Sequence, residues 1–450
     1  MAEQVDVVVV GMGPGGESAA AELARAGLSV IGVERRLVGG ECPYYGCVPT
    51  KMMVRAADAL AEAGRVAGLA GAADVSPDFA PVAQRIRGEA TDDWNDQVAV
   101  DRFEDAGGRL VRGEAVITGP GAVRVGDRDF TVVKAIILNT GTEPAVPPVA
   151  GLADTPYWTN RDAVAATEAP ESLIVLGGGA IGLELAQAFS RFGTRVAVFE
   201  AADRLLPLEE PESGELVAKV FAAEGIEVNT GTAVESVAYD AGRFTVKAGP
   251  LEVDAERLLV ATGRRPNIAN LGLDAVGVDA SGRSLDADEH LRLTDGVYAI
   301  GDIVGEGAFT HMSMYQAKIV ADHVLGRGGP GAEYHAVPRV TFTDPEVGAV
   351  GLTERQARDQ GIAVATSVSE IPNSSRGWIH KAGNDGFVKL VADTDRGVLV
   401  GATAAGPAGG EVLSMLTLAV HERTPLDRLR RMIYAYPTFH RAVEDALSRL

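Results

Sequence analysis

Cysteine is nearly absent: the chain has two in 450 residues, Cys42 and Cys47. A disulfide framework of the kind that holds small secreted domains together is excluded. A structural zinc site is also excluded, because no second pair of ligands stands at suitable spacing near the two sulfurs. Basic residues are outnumbered, 41 Lys and Arg against 62 Asp and Glu, for a formal net charge of −21. Such a surface repels phosphate backbones and anionic lipid, so neither nucleic acid nor membrane partners are expected. The acidity reads as a solubility device. No apolar run reaches the roughly 18 residues needed to span a bilayer, so no membrane insertion is expected. Met1-Ala2-Glu3-Gln4 offers no basic stretch and no following leader core. A cytoplasmic protein without a signal peptide is the expectation. What remains is an ordinary globular balance, 46% hydrophobic and 23% charged, which rules out disorder as the main state. The length implies two to four domains.

Glycine is plentiful, 54 residues, and much of it falls in two loops that echo each other. Val5-Asp6-Val7-Val8-Val9-Val10 reads as a buried parallel strand. Gly11-Met12-Gly13-Pro14-Gly15-Gly16 follows, then an Ala-rich helix pattern to Ala26, stopped by Gly27. A second strand from Ser29 ends at Glu34. The same order recurs from Leu173 to Leu176, through Gly177-Gly178-Gly179-Ala180-Ile181-Gly182, a helix pattern to Phe192, and a strand from Arg195 that ends at Glu200. In each copy the acidic residue lies 23 positions after the first glycine. One glycine triplet is weak evidence. Two copies, each with a strand before, a helix after and an acid at the next strand's end, are strong evidence for two dinucleotide sites. Gly11, Gly13, Gly15 and Gly16 in one loop, and Gly177, Gly179, Ile181 and Gly182 in the other, let the backbone approach a pyrophosphate at a helix N-terminus. Glu34 and Glu200 are placed to accept from ribose hydroxyls.

The two cysteines stand in Gly40-Glu41-Cys42-Pro43-Tyr44-Tyr45-Gly46-Cys47-Val48-Pro49-Thr50-Lys51. A bond between them closes a tiny loop and stabilises little, so a chemical role is favoured over a structural one. Pro49 suits the first turn of a helix that continues to about Ala63. Cys47 is then expected just before a helix N-terminus, where a thiolate is stabilised. Lys51 follows four residues on, near the same face. Glu184 shares a helical face with Ile181, Ala188 and Phe192, and a carboxylate on an inward stripe requires a cation.

These motifs resemble the class I pyridine nucleotide-disulfide oxidoreductases, the flavoprotein group of dihydrolipoamide dehydrogenase, mercuric reductase and mycothione reductase. The resemblance runs from about residue 5 to residue 447. It rests on the C-x4-C segment with Val-Pro-Thr-Lys, on Leu138-Asn139-Thr140-Gly141-Thr142, on Ala261-Thr262-Gly263-Arg264-Arg265-Pro266-Asn267, and on Tyr298-Ala299-Ile300-Gly301-Asp302. It implies an α/β protein with two Rossmann-like domains and a C-terminal α+β dimerisation domain. The FAD-binding domain is expected over 1–145 and 265–330, the NAD(P)-binding domain over 146–264, and the dimerisation domain over 335–450. It also implies a homodimer.

By matching position, the resemblance makes Cys47 the thiol nearest the flavin and Cys42 the interchange thiol that attacks the substrate. Lys51 is expected near the reactive edge of the isoalloxazine, paired with Glu184. Asp302 is expected on the FAD ribitol. Arg35, Gly40, Lys51, Ala115, Thr140, Gly141 and Gly301 join it in holding FAD, and Gly263 joins the second glycine loop in holding NAD(P)H. Glu200 welcomes a 2′-hydroxyl and repels a 2′-phosphate, which favours NADH, although Arg204 nearby softens the argument.

The sequence departs from the family at its end. Where disulfide reductases carry His-Pro-Thr-x-x-Glu, the partner chain's proton shuttle and its orienting acid, this chain has Tyr436-Pro437-Thr438-Phe439-His440-Arg441. An ordinary Tyr, with a pKa of about 10, shuttles protons poorly near neutrality. His440, one turn on, and Glu444 behind it are the candidates to replace the missing pair. The chain also lacks the additional C-terminal cysteine pair of mercuric reductases. Glu41 stands beside Cys42 where Thr is common, and Thr310-His311-Met312-Ser313 replaces Ala-His-x-Ala beside the flavin. The expected activity is FAD-dependent oxidation of NAD(P)H with a redox-active Cys42–Cys47 disulfide, and reduction of a small disulfide or related low-molecular-weight acceptor. Two alternatives stay open: an NAD(P)H:quinone or metal-ion reductase in which flavin passes electrons directly, and a non-catalytic lipoamide-dehydrogenase-like component of a larger complex. No metal is expected among the site residues.

Overall fold

A computed structural model describes residues 2–450. The first glycine repeat folds as strand β1 (Glu3–Val10), helix α1 (Pro14–Arg25) and strand β2 (Val30–Glu34). The cysteine segment folds as a single turn, α2 (Glu41–Tyr44), followed by α3 (Cys47–Gly64). The second repeat gives β3 (Ser172–Leu176), α4 (Ala180–Arg191) and β4 (Arg195–Phe199). The chain forms two compact units. One holds the residues up to Pro49 with Arg85–Ala145 and Arg264–Tyr334; the other holds Thr50–Gln84, Val146–Gly263 and His335–Leu450.

In the first unit β1 lies between β2 and the strand Arg128–Leu138, parallel to both, within an eight-stranded sheet. The unbroken apolar run of β1 has a physical reason: the sheet is covered on both faces. Val7 and Val9 pack with α1, while Val8 and Val10 face a separate cluster with Ala115, Ile117 and Phe130. Each buried valine contributes roughly 1.5–3 kcal/mol. Helix α5 (Thr310–Val324) packs on α1 so closely that a Cβ on Gly15 would stand 2.0 Å from the Ser313 hydroxyl.

The second unit holds a parallel four-stranded sheet ordered Glu227–Asn229, β4, β3, Arg257–Val260. Its residues from 335 onward form a five-stranded antiparallel sheet with helices Gly409–His421 and Arg441–Leu447 packed against it.

The two repeats share their tightest glycine contacts. Gly11 (φ +92) and Gly177 (φ +111) take left-handed backbone, and a Cβ on either would stand 2.3 Å from a carbonyl oxygen, of Asn139 and Ala261 respectively. Gly16 and Gly182 let each loop close, since a Cβ there would lie 2.0 and 2.4 Å from the carbonyl of the repeat's own first glycine. Only glycine fits these four positions.

Candidate active site

Glu34 and Glu200 brace the two loops in the same way. Glu34 Oε2 accepts from Met12 N at 2.9 Å and Oε1 from Arg36 N at 2.7 Å. Glu200 Oε2 accepts from Gly178 N at 2.6 Å and Oε1 from Ala202 N at 2.7 Å. Each acid therefore shapes the loop as well as presenting carboxylate oxygens at a strand end. The N-caps of α1 and α4 are Gly13 and Gly179, and neither supplies a side-chain cap. The first-turn N–H groups keep their positive end for a ligand, and both loops fit the pyrophosphate of a dinucleotide. Gly40, with φ +67, packs against Gly13, where its Cβ would stand 2.9 Å from the Gly13 Cα.

The other expected first-unit residues gather around the ends of β1 and its neighbours. Thr140 Oγ1 donates to Asn267 O at 2.6 Å, and Asn267 N donates to Gly141 O at 2.9 Å, closing the Leu138–Thr142 turn on the Arg264–Asn267 motif. Asp302 accepts from Thr142 Oγ1 at 2.6 Å. That hydroxyl in turn accepts from Arg264 Nε at 2.7 Å, and Arg264 faces Glu41 at 3.8 Å. The negative charge beside Cys42 thus has a cation, and a polar chain links Glu41 to Asp302. Gly301 N donates to the buried Gln316 side chain at 2.6 Å. Ala115 is buried in the sheet, and Arg35 pairs on the surface with Glu114. Gly263 has φ +121 and open space where a Cβ would stand.

Cys42 is half-buried on α2, and Cys47 is exposed. The sequence expectation for Cys47 is corrected by one or two residues: α3 begins at Cys47 itself. Pro49 is tolerated inside because the first four N–H groups of a helix have no intrahelical partner. The Cys47 sulfur lies 3.5 Å from the Thr310 hydroxyl, at the start of α5. Two helix N-termini therefore meet at one sulfur, and their partial positive charge favours a thiolate there. The sequence signal for Thr310 is the departure from Ala-His-x-Ala, which puts a hydroxyl at the start of this helix. Met312 is buried within its own chain, and the Tyr315 hydroxyl accepts from Glu333 N at 2.9 Å.

In the second unit Lys51 Nζ meets Glu184 Oε2 at 2.5 Å and stands 4.7 Å above the Phe342 ring. Glu184 is 4% exposed, and its Oε1 accepts from Phe342 N at 2.8 Å. The carboxylate is satisfied on both oxygens, as burial demands. Contrary to the sequence expectation, Glu184 does not lie on a single inward stripe. Ile181 is 37% exposed in the first turn of α4, while Gly182 to Phe189 are buried all round, so the helix has no single inward stripe. Arg204 donates to the carbonyls of Pro207 and Glu209, both at 2.9 Å.

Tyr436 is 69% exposed beneath the Arg441 guanidinium, and His440 is half-buried at the N-cap of Arg441–Leu447. Glu444 does not serve His440 as expected: its carboxylate pairs with Arg441 at 2.8 Å, because the i,i+3 spacing brings those two together. Among the described residues no group of three or more His, Cys, Asp and Glu could hold a metal ion, and no helix is long and apolar enough to cross a membrane.

The family described as pyridine nucleotide-disulphide oxidoreductase matches residues 5–317, and its dimerisation domain matches residues 337–447. A mercuric reductase of Acidithiobacillus ferrooxidans is 33% identical over 445 residues, covering 97% of this chain and 81% of that one. A dihydrolipoyl dehydrogenase of Chlorobaculum tepidum is 34% identical over 458 residues, covering 99% and 97%. Among solved structures, the Cu(II) complex of the HOCl-induced flavoprotein disulfide reductase RclA from Escherichia coli superposes with a TM-score of 0.88 at 26% identity, over 100% of both chains. The family is FAD-dependent and uses NAD(P)H. The chain belongs to the flavin-dependent pyridine nucleotide-disulphide oxidoreductases.

Proposed function

We propose that the protein oxidises NADH at the Gly177 loop, carries the electrons through FAD at the Gly11 loop to a Cys42–Cys47 disulfide, and reduces a small disulfide or related low-molecular-weight acceptor as a homodimer. The observation that carries this reading is the Cys47 sulfur, held at the N-termini of two helices and 3.5 Å from Thr310. Bound FAD supplies a two-electron relay between the nicotinamide and that sulfur. NADH and a proton deliver two electrons and two hydrogens, so the S–S bond opens to two thiols. The Cys42 thiolate then attacks one sulfur of the acceptor disulfide and expels the first thiol product. Cys47 attacks the resulting mixed disulfide, expels the second product, and restores the starting S–S bond. Lys51, fixed by Glu184, would be the cation that steadies negative charge developing on bound FAD. The exposed Tyr436 and the half-buried His440 are the groups a partner chain brings to the Cys42 thiol.

NADH is the favoured donor. Glu200 presents its carboxylate at the end of β4, and Arg204 is engaged by two backbone carbonyls. A second reading, reduction of a metal ion, is supported by relatives named mercuric reductases and by a structural neighbour solved as a Cu(II) complex. Steady-state oxidation of NADH and NADPH against a panel of disulfides, quinones and Cu(II) separates these readings. NADH should exceed NADPH by roughly 10-fold or more in kcat/KM. Turnover with quinones alone would overturn the disulfide route.

A further inference from the structure

The Lys51–Glu184 pair ties α3 to α4. Seven residues further along each helix, a rise of about 10 Å, Asp58 Oδ1 accepts from Arg191 at 2.6 Å. Arg191, whose side chain is 7% exposed, also holds Glu224 at 2.6 Å and Asp344 at 2.8 Å. Asp344 is shared with Arg65 at 2.6 Å, and Arg65 reaches Glu62 at 2.7 Å. Between the two ties, Gln187 donates to Asp344 O at 2.8 Å and accepts from Asp344 N at 2.7 Å. Two residues earlier on the same segment, Phe342 N supplies the hydrogen bond to Glu184 Oε1, and the Phe342 ring lies under the Lys51 ammonium. The segment from Phe342 to Asp344 is therefore laid along α4, clamped at one end by Arg191 and delivering at the other end the groups that hold Lys51 and Glu184.

We propose that Asp58 and Arg191 are positioning residues for the Lys51–Glu184 pair, and that ionisation of Asp58 sets how firmly the pair is held. The idea rests on the reading of Lys51–Glu184 as part of the reductase site. Two cations, Arg191 and Arg65, face Asp58, Glu62, Glu224 and Asp344, with Glu346 close by, so acid is in excess and one carboxyl takes a proton early. Burial pushes the Asp58 carboxyl up to about 6, Asp344 and Glu346 push the same way, and Arg191 and Arg65 oppose them. Above that pH a charged Asp58 ties α3 to Arg191. Below it the neutral carboxyl loosens the tie and leaves Arg191 to Glu224 and Asp344.

The test is the rate of flavin reduction by NADH, followed by stopped flow from pH 5 to 8 in the FAD-loaded wild type, D58N, D58E and K51M. The wild-type rate should fall about five-fold as the pH drops from 8 to 5, through one ionisation near 6. D58N should stay at the low rate across the range, and D58E should restore the ionisation. A merely structural Asp58 leaves the profile in place, so a wild-type rate and profile in D58N, with K51M slow, overturns the proposal. K51M at the wild-type rate would instead overturn the reading of the pair itself. Should D58N fail to fold as a flavoprotein, R191K, which keeps the charge and shortens the reach, decides in the same way: a low flat rate supports the proposal and a wild-type profile overturns it.

Discussion

Cys42→Ser should lower NADH-dependent reduction of a small disulfide by about 10³-fold or more. The replacement keeps the shape of a half-buried residue on a single helical turn. It exchanges a thiol, the attacking group of thiol–disulfide exchange, for a far less nucleophilic hydroxyl. Glu41, next in sequence, is already matched by Arg264, so the substitution leaves no carboxylate without its cation. Reduction of a quinone, which needs no sulfur, should stay within about two-fold of wild type. The pair of rates is informative together: loss of both activities points to a damaged flavin site, and retention of both removes Cys42 from the route. Cu(II) reduction by the same variant separates an acceptor served by the sulfurs from one served by flavin.

Lys51→Met carries the second large effect. It leaves the Glu184 carboxylate buried with the Phe342 N–H and no cation. Breaking a buried pair in this way costs about 3–5 kcal/mol, and the half-exposed Lys51 side puts this site at the lower end. The measured result should be a melting temperature lowered by several degrees, together with flavin reduction by NADH slowed about 10- to 100-fold. Lys51→Met with Glu184→Gln should recover most of the stability, since the amide stays hydrogen-bonded without a charge, and little of the rate. Recovery of both would make the pair structural only.

The parts of the molecule that repeat in sequence were legible there. Each βαβ copy encodes its own strand, tight glycine turn and helix within about 25 residues, so local pattern is enough. The place of Glu34 and Glu200 at a strand end predicts ribose acceptors, and their second task, bracing Met12 N and Gly178 N, follows from the same place. What was not legible depends on distance along the chain. Asp58, Arg191 and Asp344 meet from three separate segments, and no periodicity brings them together. Thr310 reaches Cys47 across 263 positions. The face shared by Ile181, Glu184 and Ala188 is not an inward stripe, because Gly182 to Phe189 are buried on every side and periodicity carries no signal there. Helical spacing brings Glu444 within reach of both His440 and Arg441, and Arg441, three residues nearer the N-terminus, pairs with it.

The most direct measurement is an anaerobic reductive titration of the purified, FAD-containing protein. Wild type should accept four electrons per chain, two in the flavin and two in the Cys42–Cys47 bond, and Cys47→Ser should accept two. A wild-type chain that takes up only two, with its cysteines blocked as readily before reduction as after, would contradict the account.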